Sequence, residues 1–89
     1  MAHMFGRISV GSYDAFRSVF DGHEDMRRMA GVTGKSVYRS LDDPNEITIR
    51  LDFSDSDAAK AFASSEKLKA AMKEAGVRSA PTIWFVEET

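Results

Sequence analysis

The histidine at position 23 is the side chain of this sequence whose chemistry is easiest to place. It follows Phe20 by three residues and Phe16 by seven, so an unbroken helix would carry all three on one inward-facing stripe. An imidazole titrates near neutral pH and can accept a proton or hydrogen-bond a ligand oxygen. We predict His23 as a catalytic base, with Phe16 and Phe20 as ligand contacts. The alternative is a structural histidine held by a backbone carbonyl or an acidic neighbour, or a solvated one if Gly22 breaks the helix.

A second group of candidate ligand-binding residues is Tyr38, Arg50 and Trp84. An arginine can bind a carboxylate or enolate, a tyrosine can donate a hydrogen bond to an oxyanion, and a tryptophan can stack on an aromatic ring. The structural alternatives are a salt bridge of Arg50 across strands or across a dimer, and a place for Trp84 in a dimer core.

Several other chemistries find no support in the sequence. The chain has no cysteine, which excludes disulfides and thiol catalysis. A single credible histidine among scattered carboxylates gives no metal-ligand spacing. The segment GVTGK at residues 31–35 lacks the first glycine of a phosphate-binding loop, and no nucleophile-elbow motif occurs. We therefore predict neither a metal nor a cofactor.

A β-hairpin over Val37–Phe53 is the element that positions the second group. In its second strand Ile47, Ile49, Leu51 and Phe53 alternate with Glu46, Thr48, Arg50 and Asp52, which is the pattern of a strand with one apolar and one polar face. The sequence Asp42-Asp43-Pro44-Asn45 supplies the turn. We expect the apolar face to form the floor of a pocket beneath His23.

The other elements follow from periodicity and capping residues. The predictions are a strand Phe5–Val10, a helix Tyr13–Ala30, strands Val32–Leu41 and Glu46–Phe53, a helix capped by Ser54 and interrupted at Ser64-Ser65, a helical segment Glu66–Ala75 ended by Gly76, and a strand Thr82–Glu87. The order β-α-β-β-α-β predicts an α+β fold of ferredoxin-like type, with a four-stranded antiparallel sheet and the helices on one face.

The bulk properties limit the function classes. A chain of 89 residues is one domain. We interpret residues 1–3 as a vector remnant and residues 4–89 as the domain, and on that ground leave His3 aside. A net charge of -2 with well-mixed signs argues against nucleic-acid binding. No apolar run is long enough for a membrane span, no signal peptide is visible, and the absence of cysteine suits a reducing compartment, so we expect a cytoplasmic protein.

Motifs in order along the chain resemble the small bacterial proteins of the dimeric α/β-barrel superfamily, of the cyclase-like or antibiotic-biosynthesis-monooxygenase-like kind. The segments that carry the resemblance are Tyr13-Asp14-Ala15-Phe16, Val19-Phe20-Asp21, His23, Arg27-Arg28, Gly31, Val37-Tyr38-Arg39, Asp43-Pro44-Asn45-Glu46, Ala61-Phe62-Ala63-Ser64, Leu68-Lys69, Met72, Ala75-Gly76-Val77 and Pro81. The resemblance implies a homodimer whose two sheets face each other as a barrel, with a pocket between sheet and helices in each protomer.

The resemblance also implies a function. We predict a small-molecule enzyme that acts without metal or flavin on a planar aromatic or polyketide-like compound, with His23 as proton acceptor. The alternative is a non-catalytic module for dimerisation or for binding a small apolar or aromatic ligand. The same fold serves many reactions, so the fold alone selects none of them.

Overall fold

A single antiparallel sheet covered by helices on one face makes up the protein. The computed structural model describes residues 1–89. The elements are β1 (Ala2–Ser9), α1 (Tyr13–Gly22), α2 (Glu24–Met29), β2 (Val32–Arg39), β3 (Glu46–Phe53), α3 (Ser56–Ala63), α4 (Glu66–Glu74) and β4 (Thr82–Glu87). The strands lie in the order β2-β3-β1-β4, and all neighbouring strands are antiparallel. This confirms the predicted α+β, ferredoxin-like fold.

The predicted hairpin of β2 and β3 is present, with Tyr38 opposite Thr48. The register of β2 against β3 shifts between Val32 and Gly34. Ile47 and Phe53 are fully buried on the helix-covered face. The alternation in β3 therefore fixes which face of the sheet meets the helices, as its period of two requires.

Strand β1 begins at Ala2, earlier than the predicted start at Phe5. The first residues join the sheet because β1 is a central strand: Ala2 lies opposite Phe53 on one side and Glu87 on the other. Val10, predicted as the last strand residue, instead makes an isolated bridge with Val77 and is fully buried.

The predicted helix Tyr13–Ala30 forms as two helices, α1 and α2, and the break lies at His23, directly after Gly22. The amide of His23 donates to the carbonyl of Phe20, 3.2 Å away, which closes the last turn of α1 in the tighter 3₁₀ manner. Gly22 precedes the break, and glycine is a poor helix former. Helix α2 ends as predicted before Gly31, whose φ of +97° is accessible mainly to glycine.

The break at Ser64-Ser65 is confirmed, and it separates α3 from α4. The Oγ of Ser65 accepts a hydrogen bond from the amide of Leu68 at 3.2 Å, as expected of an N-cap residue. Gly76, at φ +80°, follows the end of α4 as predicted. The prediction that Ser54 caps α3 is wrong: Asp55 is the cap, and its Oδ1 accepts from the amide of Ala58 at 2.7 Å.

The two faces of the sheet have different environments. The helix-covered face holds a core of eleven buried apolar residues: Met4, Ile8, Val10, Phe16, Phe20, Ile47, Leu51, Phe53, Ala59, Phe62 and Ala75. On the other face, here called the open face, Tyr38, Trp84 and Val86 are exposed by 48%, 40% and 40%. None of the helices is long and apolar enough to cross a membrane.

Candidate functional site

A cavity of about 80 Å³ lies between the sheet and the helices. Fifteen of its nineteen lining residues are hydrophobic. The lining residues are Met4, Gly6, Ile8, Phe16, Val19, Phe20, His23, Met26, Arg27, Ile49, Leu51, Phe62, Leu68, Ala71, Met72, Ala75, Val77, Pro81 and Ile83. We call this space the apolar cavity. It has the position and the lining of a small-molecule site, although typical ligand pockets are larger, at about 300–1,000 Å³.

His23 lies in the wall of the apolar cavity at the junction of α1 and α2, with 30% of its side chain exposed. Its Nε2 is 3.3 Å from Oε1 of Glu74, on α4. When Nε2–H donates to this carboxylate, the neutral imidazole keeps its lone pair on Nδ1. A histidine oriented in this way by an acid is equipped to accept a proton.

Phe16 and Phe20 form one side of the apolar cavity as an aromatic pair, with ring centroids 5.6 Å apart. Both are buried, since they project from the inward stripe of α1. Met26 and Met72 also line the cavity. Methionine side chains adapt their shape readily, so the cavity can enlarge around a ligand by side-chain rotation.

Arg27 is the second ionisable side chain in the wall of the apolar cavity, and only 4% of it is exposed. Its Cζ lies 3.7 Å from the ring centroid of Phe20, a cation–π contact. One terminal nitrogen, Nη2, donates to Oε2 of Glu24 at 2.9 Å. The Nε–H is buried and has no hydrogen-bond partner.

A second, polar cavity of about 170 Å³ borders the same arginine between α2 and β2. Its lining residues are Glu24, Arg27, Arg28, Val32, Thr33, Gly34 and Lys35. The ammonium of Lys35 and the guanidinium of Arg27 both donate to Glu24. These two hydrogen bonds, that of Lys35 first, hold the pKa of the Glu24 carboxyl below its ordinary value of 4.5.

The open face carries a separate polar cluster, in which Asp52 is the shared acceptor. Nδ1 of His3 donates to Oδ1 of Asp52 across 2.5 Å, and Nη2 of Arg50 donates to Oδ2 across 3.3 Å. Asp52 is largely buried. Nearby, the rings of Phe5 and Trp84 stack with centroids 5.5 Å apart and planes inclined by 10°.

Comparison with known proteins now adds the family. Residues 1–74 match the family model described as antibiotic biosynthesis monooxygenase. The chain belongs to this monooxygenase family. A search of curated proteins gives no significant match.

Solved structures of similar fold include other proteins with this family's description. One from Bordetella bronchiseptica, provisionally described as an antibiotic biosynthesis monooxygenase, has 17% identity and a TM-score of 0.82, covering 99% of this chain and 96% of that one. SnoaB, a cofactor-independent oxygenase from Streptomyces nogalater, has 17% identity and a TM-score of 0.73, covering 99% and 94%. A Nitrosomonas europaea protein of unknown function has 20% identity and a TM-score of 0.76, covering 98% and 87%. At these identities the likeness shows the fold.

In this monooxygenase-family chain the predicted site residues fall into two groups. His23, Phe16 and Phe20 meet at the apolar cavity. Tyr38, Arg50 and Trp84 lie on strands and have no part in lining that cavity. Of the predicted pocket floor, Ile49 and Leu51 line the cavity, while Ile47 and Phe53 are sealed in the core around it.

The site residues predicted from the sequence include neither Arg27, which lines the apolar cavity, nor Glu74, the partner of His23. A signal for Arg27 was present: it follows His23 by four residues and Phe20 by seven, which continues the same helical stripe. The pairing of His23 with Glu74 spans 51 positions, and no local pattern predicts such a contact.

Proposed function

We propose that the protein is a monooxygenase-family enzyme that oxidises a planar aromatic or polyketide-like compound at the apolar cavity, without metal or flavin. The observation that carries the proposal is the position of His23: its imidazole lines a largely apolar wall and is paired with Glu74. Family membership supports an oxygenase, and the description of SnoaB as cofactor-independent supports chemistry with dioxygen alone.

In the proposed reaction His23 accepts a proton from an acidic CH₂ group of the bound aromatic. The resulting carbanion reacts with O₂, which supplies one oxygen atom to the product. The CH₂ group becomes a carbonyl, and the second oxygen atom leaves as water, so that one O₂ is consumed per product. Phe16 and Phe20 hold the ring system by stacking.

Oxidation of anthrone to anthraquinone tests the proposal, because anthrone is planar and has an acidic CH₂ group. The assay follows absorbance and O₂ uptake in buffer that contains a metal chelator. We expect the wild-type protein to accelerate the reaction, and His23→Ala to lower the rate by about 10²–10⁴-fold. Ser18→Ala, on the exposed side of α1, serves as the control. Equal rates for His23→Ala and wild type would remove His23 from the mechanism.

A second candidate is a binding module without catalysis, and the size of the apolar cavity favours it. At about 80 Å³ the cavity takes only a small ligand unless its side chains move. In this case the cavity binds an apolar or aromatic molecule, and no substrate turns over. A ligand that shifts NMR signals of the cavity residues while anthrone oxidation stays at the buffer rate would support this candidate over the enzyme.

The proposal includes a homodimer joined through the open face. Exposed Tyr38 and Trp84 on this face support it, because a lone chain of this size gains stability by covering such a surface. In that arrangement Arg50 stays paired with Asp52 at the interface, where an unpaired charge would be costly. We also propose a cytoplasmic location, with which the absence of cysteine is consistent.

A further inference from the structure

Arg27 lies between the apolar cavity and the polar cavity, and its side chain is the one that lines both. Its guanidinium carbon lies over the ring of Phe20, which lines the apolar cavity. On the polar side its Nη2 reaches Glu24. A ligand that filled the apolar cavity and extended toward β2 would therefore meet a buried guanidinium at its polar end.

The guanidinium has hydrogen-bonding capacity to spare. Its Nε–H is buried without an acceptor, which is a costly state for a charged donor. A carboxylate has two oxygens and can accept from an arginine at two nitrogens at once. A carboxylate that approached Arg27 along the edge containing Nε would satisfy the group that the free protein leaves unpaired.

The carboxylate of Glu24 occupies the position that the carboxylate of such a ligand would take. Its Oε2 accepts from both Arg27 and Lys35, and these are the donors that an incoming carboxylate would use. Half of the Glu24 side chain is exposed, so it can rotate into solvent without loss of core packing. The cations then remain in the wall of the polar cavity without their internal acid.

We propose that the ligand is an aromatic carboxylic acid, whose ring lies in the apolar cavity while its carboxylate displaces Glu24 from Arg27 and Lys35. This rests on the proposed function only in that both use the apolar cavity; it concerns binding and not turnover. The charge of the head group is therefore a determinant of specificity, and Arg27 is the residue that binds this group.

The test compares 2-naphthoic acid with 2-naphthamide, which has the same ring and a neutral head of similar shape. Affinities are measured by isothermal titration calorimetry at neutral pH on the full chain. We expect the acid to bind about tenfold more tightly than the amide, since hydrogen bonds to charged groups contribute more than neutral ones. Equal affinities, or no binding of the acid, would overturn the proposal.

Variants test which residues cause the preference for the acid over the amide. The side chain of Lys35 is partly exposed, so the Lys35→Gln variant should fold. We expect this variant to bind the acid more weakly and the amide with unchanged affinity. Arg27→Gln should abolish the preference, with circular dichroism reporting whether this buried substitution leaves the fold intact. Glu24→Gln should raise the affinity for the acid, because the substitution removes the carboxylate that competes with the ligand. Lys69→Gln is the matched control, since it removes an exposed charge on α4. It should leave the affinities for both ligands unchanged.

The outcomes separate this inference from the proposed function. A preference for the acid that Lys35→Gln reduces would support the inference even if anthrone is never oxidised. Anthrone oxidation that depends on His23, together with equal binding of acid and amide, would support the proposed function and reject the inference. An acid preference that survives Lys35→Gln and Arg27→Gln would place the carboxylate elsewhere and also reject it.

Discussion

At the scale of single residues, Glu24 links acidity to stability. Lys35 and Arg27 donate to its carboxylate in the folded protein, and its pKa is lowered. The unfolded chain therefore binds the proton more readily than the folded one. The stabilisation is fully present above the ordinary pKa of 4.5 and is lost as the pH falls through the lower pKa of the folded state.

We expect Glu24→Gln to flatten this acid dependence. The variant should be less stable than wild type at pH 7, because its amide is a weaker acceptor for two cations. Its melting temperature should then fall less than that of wild type between about pH 5 and about pH 3. Differential scanning calorimetry across this range measures both effects. Glu88→Gln, near the C-terminus, is the control, and an equal acid loss in Glu24→Gln and wild type would contradict the prediction.

Gly34 is a second residue with a checkable role, because a Cβ placed there would lie 2.6 Å from Oδ2 of Asp52. Asp52 cannot easily retreat, since His3 and Arg50 hold its carboxylate. We expect Gly34→Ala to lower the free energy of unfolding by about 1–3 kcal/mol. Urea denaturation measures the change.

A double-mutant cycle tests the cause of the Gly34 effect. In the Asp52→Ala background the carboxylate that blocks the new methyl group is gone, so the added cost of Gly34→Ala should shrink toward zero. If Gly34→Ala costs the same in both backgrounds, the steric contact with Asp52 is not its origin. The backbone of Gly34 would then be responsible.

At the scale of elements, the start of α3 depends on one side chain. Asp55 accepts from the amide of Ala58 at 2.7 Å, and its charge also suits a helix N-terminus. We expect Asp55→Ala to destabilise the protein by about 1 kcal/mol, and Asp55→Asn by less. Ser54→Ala should be close to neutral, because Asp55 is the cap. Chemical denaturation of the three variants checks this order, and a larger loss in Ser54→Ala than in Asp55→Ala would contradict it.

The elements that the sequence predicted well are those specified by local patterns. The alternation in β3 and the glycines at positions 31 and 76 determine conformation within a few residues. The capping residue of α3 was less predictable, because Ser54 and Asp55 are adjacent and both are good caps. Which of the two residues caps the helix depends on where β3 ends. The end of β3 is determined by its pairing with β1 and β2.

The candidate site was predictable only in part. The spacing of Phe16, Phe20 and His23 placed all three at the apolar cavity, although the helix that was expected to carry them is broken. His23 lies at the break and still lines the cavity. Glu74 and Lys35 reach the site from α4 and β2, and such long-range contacts depend on packing that one sequence does not reveal.

At the scale of the whole molecule, the two faces of the sheet differ in what covers them. The helix-covered face holds the core and the apolar cavity, so the proposed ligand binding depends on helix packing. The open face has no covering element within the chain, yet it carries a largely buried acid at Asp52 and a stacked pair at Phe5 and Trp84. Ordered contacts of this kind suit a surface that meets a second copy in an isologous interface.

The proposed dimer gives the last prediction, which concerns Trp84. We expect light scattering after gel filtration to give twice the mass of one chain at about 50 µM, and Trp84→Lys to give the mass of one chain, because the substitution places a charge in the apolar part of the interface. Leu41→Lys is the matched control: Leu41 is fully exposed in the hairpin turn, so its variant should remain a dimer. A wild-type protein with the mass of one chain would reject the dimer. If Trp84→Lys stays dimeric with an intact fold, the open face is not the interface.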